Sequence, residues 1–484
     1  MQIKLHNSLT KNIEEFKPID GSHVRIYSCG PTVYNFAHIG NMRAFLFADL
    51  LQRVLKTVGK YSLSWVMNIT NIDDKTIRDS AKGSPAWKES LMGPQTDDPM
   101  ENLNKLTAYY EKAFIEDIEK LGIMRKDFTA LPRATDYIEE MQLLIKKIVD
   151  RGYGYVSGGS VYFNVAKWRE SEVYGKLKKI DFDNFRSGVR IDADQYEREQ
   201  VSDFVLWKAR KEGEPYWEFE INGESCPGRP GWHIECSSME YKLLGLPFDI
   251  HTGGVDLKFP HHEDEIAQSK AGYGVEPTNV WCHNEFLEVE GEKMSKSAGN
   301  FFTLRDLTDK GIDPLDIRFA IFSAHYNSKF NFTFDGISAA RKSRQRVQEY
   351  IYTLLGPESG DKKADVESAK NNIYTELAND LHTPKALAAF FKFINENPAG
   401  DITPVSKEQA LELLKELNDI FNIWHFELRE EKAAIPPEIT EMAEKRLEAK
   451  KARDFAEADR LRDEITASGF IITDTKDGYQ IKKK

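Results

Sequence analysis

One stretch near the start of the chain narrows the possible folds more than any other. Val24–Ser28 alternates in polarity as a strand does, and Cys29-Gly30-Pro31-Thr32 breaks it. From Asn41 an apolar face recurs at Ala44, Phe45, Phe47, Ala48, Leu51 and Leu55, the spacing of an amphipathic helix, and Gly59 ends it. Ser64–Thr70 reads as a second strand, closed by the polar turn Asn71-Ile72-Asp73-Asp74. A helix between two strands is a crossover, so the strands lie parallel. The expected fold class is α/β, with a parallel sheet.

The rest of the chain fits around that unit. Ser80–Met100, rich in Gly, Pro, Ser and charge, reads as a loop or small insertion. A helix over Tyr137–Asp150 and a strand over Ser160–Val165 predict an inserted domain between two halves of the sheet, which resumes at Asp249-Ile250-His251. Helices follow over Ile337–Leu355, Ala369–Leu381 and Glu408–Phe421, with linkers at Pro357–Asp361 and Ala434–Pro437. Glu444–Glu464 reads as one basic amphipathic helix of a small C-terminal domain. These patterns divide the chain at 1–127, 128–225, 226–315, 316–433 and 434–484.

Composition excludes several classes. A net charge of −12 argues against a protein that coats nucleic acid non-specifically. Four cysteines in 484 residues are too few for a secreted disulfide scaffold. No apolar run is long enough to span a bilayer, and Met1–His6 lacks a signal-peptide core, so the expected compartment is cytoplasmic.

Two loops carry candidate chemistry. His38-Ile39-Gly40-Asn41 precedes the first helix, where free amides and the helix dipole attract anions. Gly40 permits close approach of a nucleotide, and His38 can donate to a phosphate oxygen or simply cap the helix. Much later, Lys293-Met294-Ser295-Lys296-Ser297 places two cations on a small-residue loop, followed by Gly299-Asn300-Phe301. Lys296, and after it Lys293, are suited to contacting a phosphate group on which negative charge develops.

A third constellation is richer in metal-binding types. Five of the eleven histidines fall between His233 and His283, with Cys236 and Cys282 among them. Pro260 favours a helix start, and His261 and Glu265 are four apart, hence on one helical face. A thiolate, an imidazole and a carboxylate are good zinc ligands. Spacing alone leaves zinc ligands and hydrogen-bonded core residues both open.

The His38 and Lys293–Ser297 loops, in this order, resemble the two signature loops of class I aminoacyl-tRNA synthetases, whose catalytic fold is Rossmann-like. Tyr27–Tyr34, Asn68–Lys75, Asp203–Lys208, Gly231–Ser237 and Phe259–Glu265 resemble the cysteinyl-tRNA synthetases, and the likeness runs from Ile3 to the C-terminus. The resemblance implies ATP, with Mg2+, gripped by His38, Gly40, Asn41, Lys293, Ser295, Lys296 and Ser297. It implies one zinc held by Cys29, Cys236, His261 and Glu265. Thr32 and Thr70 would lie beside bound cysteine and Trp232 would wall its pocket. His233 and His251 would either hold the cysteine carboxylate or support the metal ligands. Asn41 stands where the family pattern often has a second histidine. Cys226 and Cys282 fall outside the zinc set.

The segments then take the family's roles: two catalytic halves (1–127 and 226–315), an inserted connective domain, a stem-contact region with a helical bundle, and an anticodon-end domain. The implied partner is tRNA(Cys), and the implied state a monomer. Ala452–Asp459 resembles the anticodon-end domain, but a tryptophan often found near the end is replaced by Gly478-Tyr479-Gln480-Ile481, leaving Tyr479 as a candidate stacking platform. Two rivals remain: a tRNA-independent ligase joining cysteine to an aminosugar, disfavoured by the long C-terminal region, and a zinc-binding RNA adaptor without catalysis, disfavoured by the lysine loop.

Overall fold

The computed structural model describes residues 1–180, 190–191, 203–294, 299–428, 436–475 and 478–483. The chain divides into two compact units, Met1–His425 and Phe426–Lys484.

The first unit is built on a four-stranded sheet. Its strands are β1 (His23–Ser28), β2 (Ser62–Met67), β3 (Phe248–Gly254) and β4 (Thr278–Asn284), in the spatial order β4-β3-β1-β2, with every neighbouring pair parallel. Helix α1 (Ile39–Thr57) crosses from β1 to β2, as its apolar spacing requires; Leu46, Leu51, Val54 and Leu55 are fully buried. Helix α2 (Trp232–Leu244) leads into β3, and α3 (His261–Tyr273) crosses from β3 to β4. The chain thus leaves β1 toward one edge and later returns on its other side.

Between β2 and α2 the chain forms an antiparallel sheet of Gly154–Ser157, Ser160–Phe163, Asp203–Ala209 and Gly228–Pro230, with Arg190–Ile191 alongside. Asp74 ties this sheet to the parallel one: its carboxylate lies 2.9 Å from Lys208 Nζ and also meets Arg229.

Several helices were not expected from sequence, among them α2 and two others. Pro99–Lys120 starts at an Asp98 cap, directly after the loop-like stretch, and Thr383–Glu396 lies between the two helices read there. The latter joins Phe334–Leu355, Val366–Ala378 and Pro404–Phe421. Arg318 fastens this region to the sheet layer. It is fully buried, 2.5 Å from Asp49 of α1, and donates to the carbonyls of Leu121 and Phe421.

The second unit corrects one expectation. The single helix predicted over Glu444–Glu464 is two, Pro437–Lys451 and Phe455–Ala467. Arg453 is left-handed (φ 61°) and Asp454 caps the second helix by accepting from the Glu457 amide at 3.1 Å. A capping side chain competes with helix continuation, which is why the break falls there. Ile439, Ala443, Ile465, Phe470 and Ile472 form the core, with Tyr479 packed against it. Arg446 grips Asp474 with two nitrogens at 2.8 and 3.1 Å and Lys450 adds a third contact, so part of the basic helix is neutralised internally.

Candidate active site and metal centre

Strands β1 and β3 are neighbours whose crossovers run in opposite directions, and ligands of open parallel sheets collect at the carboxyl ends of such strands. A cavity of about 480 Å³ opens there. Cys29, Thr32 and Trp232 line it, as do His38, Gly40, Asn41, Lys293 and Phe301.

The α1 end of the cavity is set by reciprocal capping. His38 Nδ1 accepts from the Asn41 amide at 3.3 Å, and the Asn41 side-chain oxygen accepts from the His38 amide at 3.2 Å. Asn41 therefore fixes the loop where the family pattern often has histidine. Burial lowers the His38 pKa to about 4, so the ring is neutral near pH 7. With Nδ1 accepting, the proton sits on Nε2 and is available to a phosphate oxygen. A Cβ on Gly40 would lie 2.5 Å from Met294 Cε and 2.9 Å from the His38 ring. The Met294 methyl could swing aside, but the His38 ring is held by its cap, so glycine suits this corner. Lys293 ends the short strand Glu292–Lys293; Ser295, Lys296 and Ser297 lie outside the described residues.

The other end is a buried donor cluster. Cys29 follows β1, Cys236 sits in α2, and His261 and Glu265 share one turn of α3. Their ligand atoms all lie within 4.8 Å of one another. His261 Nε2 is 2.8 Å from Glu265 Oε1 and 3.5 Å from Cys236 Sγ. Burial pushes the Cys29 thiol well above its ordinary value. Burial acts the same way on Cys236, but hydrogen bonding from Cys29 and the nearby His261 overcome it and bring the thiol to about 6. Burial would also raise Glu265; the His251, His261 and His262 imidazoles hold it well below the carboxylate range. These donors fit a zinc ion in type and spacing.

A second set, Cys29, His251, His262 and Glu265, meets the same spacing and shares two members with the first. Its His251 Nε2 lies 2.8 Å from Glu240 Oε1, which is in neither set, and 2.7 Å from Glu265 Oε2. His261 instead turns its other nitrogen, Nδ1, to His233 Nδ1 at 2.8 Å, and His233 Nε2 lies 3.4 Å from Asp264 Oδ2. That outer partner is the kind that orients a metal-bound imidazole.

The remaining sequence candidates divide between wall and backing. Thr32 and Trp232 line the cavity, and Trp232 stacks on His261 with ring centroids 4.1 Å apart. Thr70, His233 and His251 are buried behind it; Thr70 donates to Glu235 at 2.7 Å. Sequence reasoning passed over Lys75, Glu240 and His262. Lys75 lines the cavity with its ammonium 5.3 Å from the Tyr34 ring centre. His262 Nε2 is 3.2 Å from Cys29 Sγ, a contact its adjacency to His261 could have signalled.

Comparison with known proteins bears on this arrangement. The class I (C) tRNA-synthetase catalytic domain matches residues 15–342. The cysteine–tRNA ligase of Leptospira interrogans is 43% identical over the whole of both chains. The chain belongs to the cysteine–tRNA ligase family. Another member of the family, from Brachyspira hyodysenteriae, is 41% identical across all of this chain and 99% of its own. The fold extends to more distant proteins. Mycobacterium tuberculosis methionyl-tRNA synthetase bound by methionyl-adenylate has a TM-score of 0.54 at 11% identity, covering 84% of this chain and 92% of that one. An Agrobacterium radiobacter LeuRS–tRNA–LeuAMS ternary complex has 0.57 at 11%, covering 84% and 85%. Among the described residues of this cysteine–tRNA ligase family member, no helix is long and apolar enough to cross a membrane.

Proposed function

We propose that the chain activates L-cysteine with ATP and transfers the cysteinyl group to the 3'-terminal ribose of tRNA(Cys). In the first step the cysteine carboxylate attacks the α-phosphorus and pyrophosphate leaves. In the second a ribose hydroxyl attacks the acyl carbon and AMP leaves. The observation that carries this reading is a buried cluster of Cys29, Cys236, His261 and Glu265 that reaches, through Cys29, the same cavity that His38, Gly40 and Lys293 line.

Each residue has a part suited to its position. Cys29, Cys236, His261 and Glu265 would hold zinc, whose preference for a thiolate over a hydroxyl separates cysteine from serine. A shaped pocket alone rejects so close an analogue poorly. Trp232 and Thr32 bound the amino-acid end. A cationic imidazole is not needed at the cap, because neutral His38 donates through Nε2 while the α1 amides face the polyphosphate. Lys293 and Lys296 neutralise the leaving pyrophosphate, and Mg2+ accompanies ATP. His233 and His251 support the metal ligands instead of touching substrate. The full-length likeness to cysteine–tRNA ligases favours this reading over a tRNA-independent ligase.

The test is cysteine-dependent ATP–pyrophosphate exchange alongside charging of tRNA(Cys), with Cys236→Ser as the control. The parent should do both and hold one zinc per chain; the variant should lose zinc and activation together. Exchange that serine supports as well as cysteine, or active protein without zinc, would overturn the reading.

A further inference from the structure

Arg43 stands one turn into α1, just past the His38–Asn41 cap, and is 2% exposed. Its Nη1 donates to the carbonyl of Phe286 and its Nη2 to that of Ser328. The carbonyls of Tyr326 and His325 lie at 3.3 and 3.4 Å from Nη2. Among the described residues it has no ion-pair partner, although it stays cationic near neutral pH with a pKa that burial lowers to about 10.

The two segments it reaches are not neighbours in sequence. Phe286 lines the cavity and leads into Leu287–Val289, which pairs antiparallel with Glu292–Lys293 and parallel with Phe330–Phe332. Phe286 and Ser328 thus sit just before these two strands, and the hairpin arm carries Lys293 back beside them, opposite Glu288. Only a guanidinium offers a rigid fork of donors able to reach carbonyls on both segments at once. Glu285 and the Phe330 ring, 5.7 Å from the guanidinium carbon, offset only part of its burial, and a buried cation with no carboxylate in direct contact is costly. It is an expensive way to staple two loops, unless the geometry it enforces matters to the reaction.

We infer that Arg43 is a positioning residue for adenylate formation: it fixes the spacing between the His38 cap and the Lys293 arm by holding the backbone at Phe286 and Ser328. This inference rests on the proposed adenylation at that cavity. Loops that grip one polyphosphate from two sides must be held to within a fraction of an ångström, since small misplacements slow reactions steeply.

The test uses full-length, zinc-loaded protein with Arg43→Lys and Arg43→Gln. Lysine keeps the charge and glutamine keeps donors, but neither spans both segments. Both variants should retain zinc, a melting temperature within a few degrees of the parent and an unchanged KM for cysteine. Their exchange kcat should fall about 10- to 100-fold, with a raised KM for ATP. Parental kcat and KM for ATP in a folded Arg43→Lys protein would overturn the inference. So would parallel losses of zinc, cysteine affinity and turnover, or failure of both variants to fold, each of which makes Arg43 a stability residue. A parent inactive in exchange would instead sink the proposed function.

Discussion

His251 Nε2 lies 2.7 Å from Glu265 Oε2, the carboxylate oxygen that His261 leaves free. Glu240 meets the same imidazole nitrogen at 2.8 Å, and the ring stacks on Trp281 with centroids 4.4 Å apart. The ligand carboxylate is therefore aimed from behind. Replacing His251 with alanine should lower metal affinity about 10- to 100-fold, read by chelator competition, with KM for ATP unchanged. Unchanged zinc retention with a raised KM for cysteine would place His251 on the substrate instead.

Lys296→Ala should slow adenylate formation about 100-fold or more while zinc content stays normal, because its proposed contact forms as charge moves onto pyrophosphate. Single-turnover measurement of adenylate formation decides it; an unchanged rate removes Lys296 from the mechanism.

His38 should show no titration in the exchange rate between pH 6 and 8. Its pKa in the fold is about 4, below the ordinary value near 6.5. The fold favours the neutral ring, so its stabilising contribution is complete above about pH 6.5 and fades as pH falls toward 4. His38→Asn keeps a cap and a donor and should retain more exchange than His38→Ala, which should lose about 100-fold. Equal losses would mean that the donor has no role.

Asp49→Asn should cost about 3–5 kcal/mol, because it strands the buried Arg318 cation and leaves Arg53, 2.8 Å from Asp49, with only Asp127 as an ion-pair partner among the described residues. Burial alone would raise the Asp49 pKa; Arg318 and Arg53 overcome that and lower it. Its contribution to stability is thus present above the unfolded pKa near 3.9 and lost as pH falls through the folded one. Denaturant titrations of parent and variant at pH 7 measure the loss, and repeating them below about pH 3 checks the sign, since the gap between the two should narrow there.

Ending the chain at His425 removes the whole second unit. The shortened protein should keep cysteine activation and show a KM for tRNA raised about tenfold or more, against little change for cysteine. Charging by a folded truncation at parental efficiency would show that the second unit does not bind tRNA.

The βαβ unit was legible because its signals are local: α1 runs Ile39–Thr57 where the apolar face predicted a helix, and β1 and β2 begin within two residues of their expected starts. His261 and Glu265 were legible as a pair for the same reason, one turn of one helix. Their meeting with Cys29 was not, because no local pattern encodes contact between residues so far apart in sequence. The break at Asp454 was hidden by an apolar spacing that continues across it, through Ala452, Phe455 and Ala458. Arg43 was invisible as well: a charged residue on an amphipathic helix reads as solvent-facing, and only the tertiary fold shows it surrounded by carbonyls.

The donor cluster has a topological consequence. Cys29 belongs to the first half of the parallel sheet, whereas Cys236, His261 and Glu265 lie beyond the inserted sheet. A metal bound there closes a loop of about 200 residues, worth about 5 kcal/mol of chain entropy by the arithmetic used for covalent cross-links. The ion that would select the substrate would also act as a clasp joining an interrupted fold, so cysteine recognition would depend on both halves having found each other.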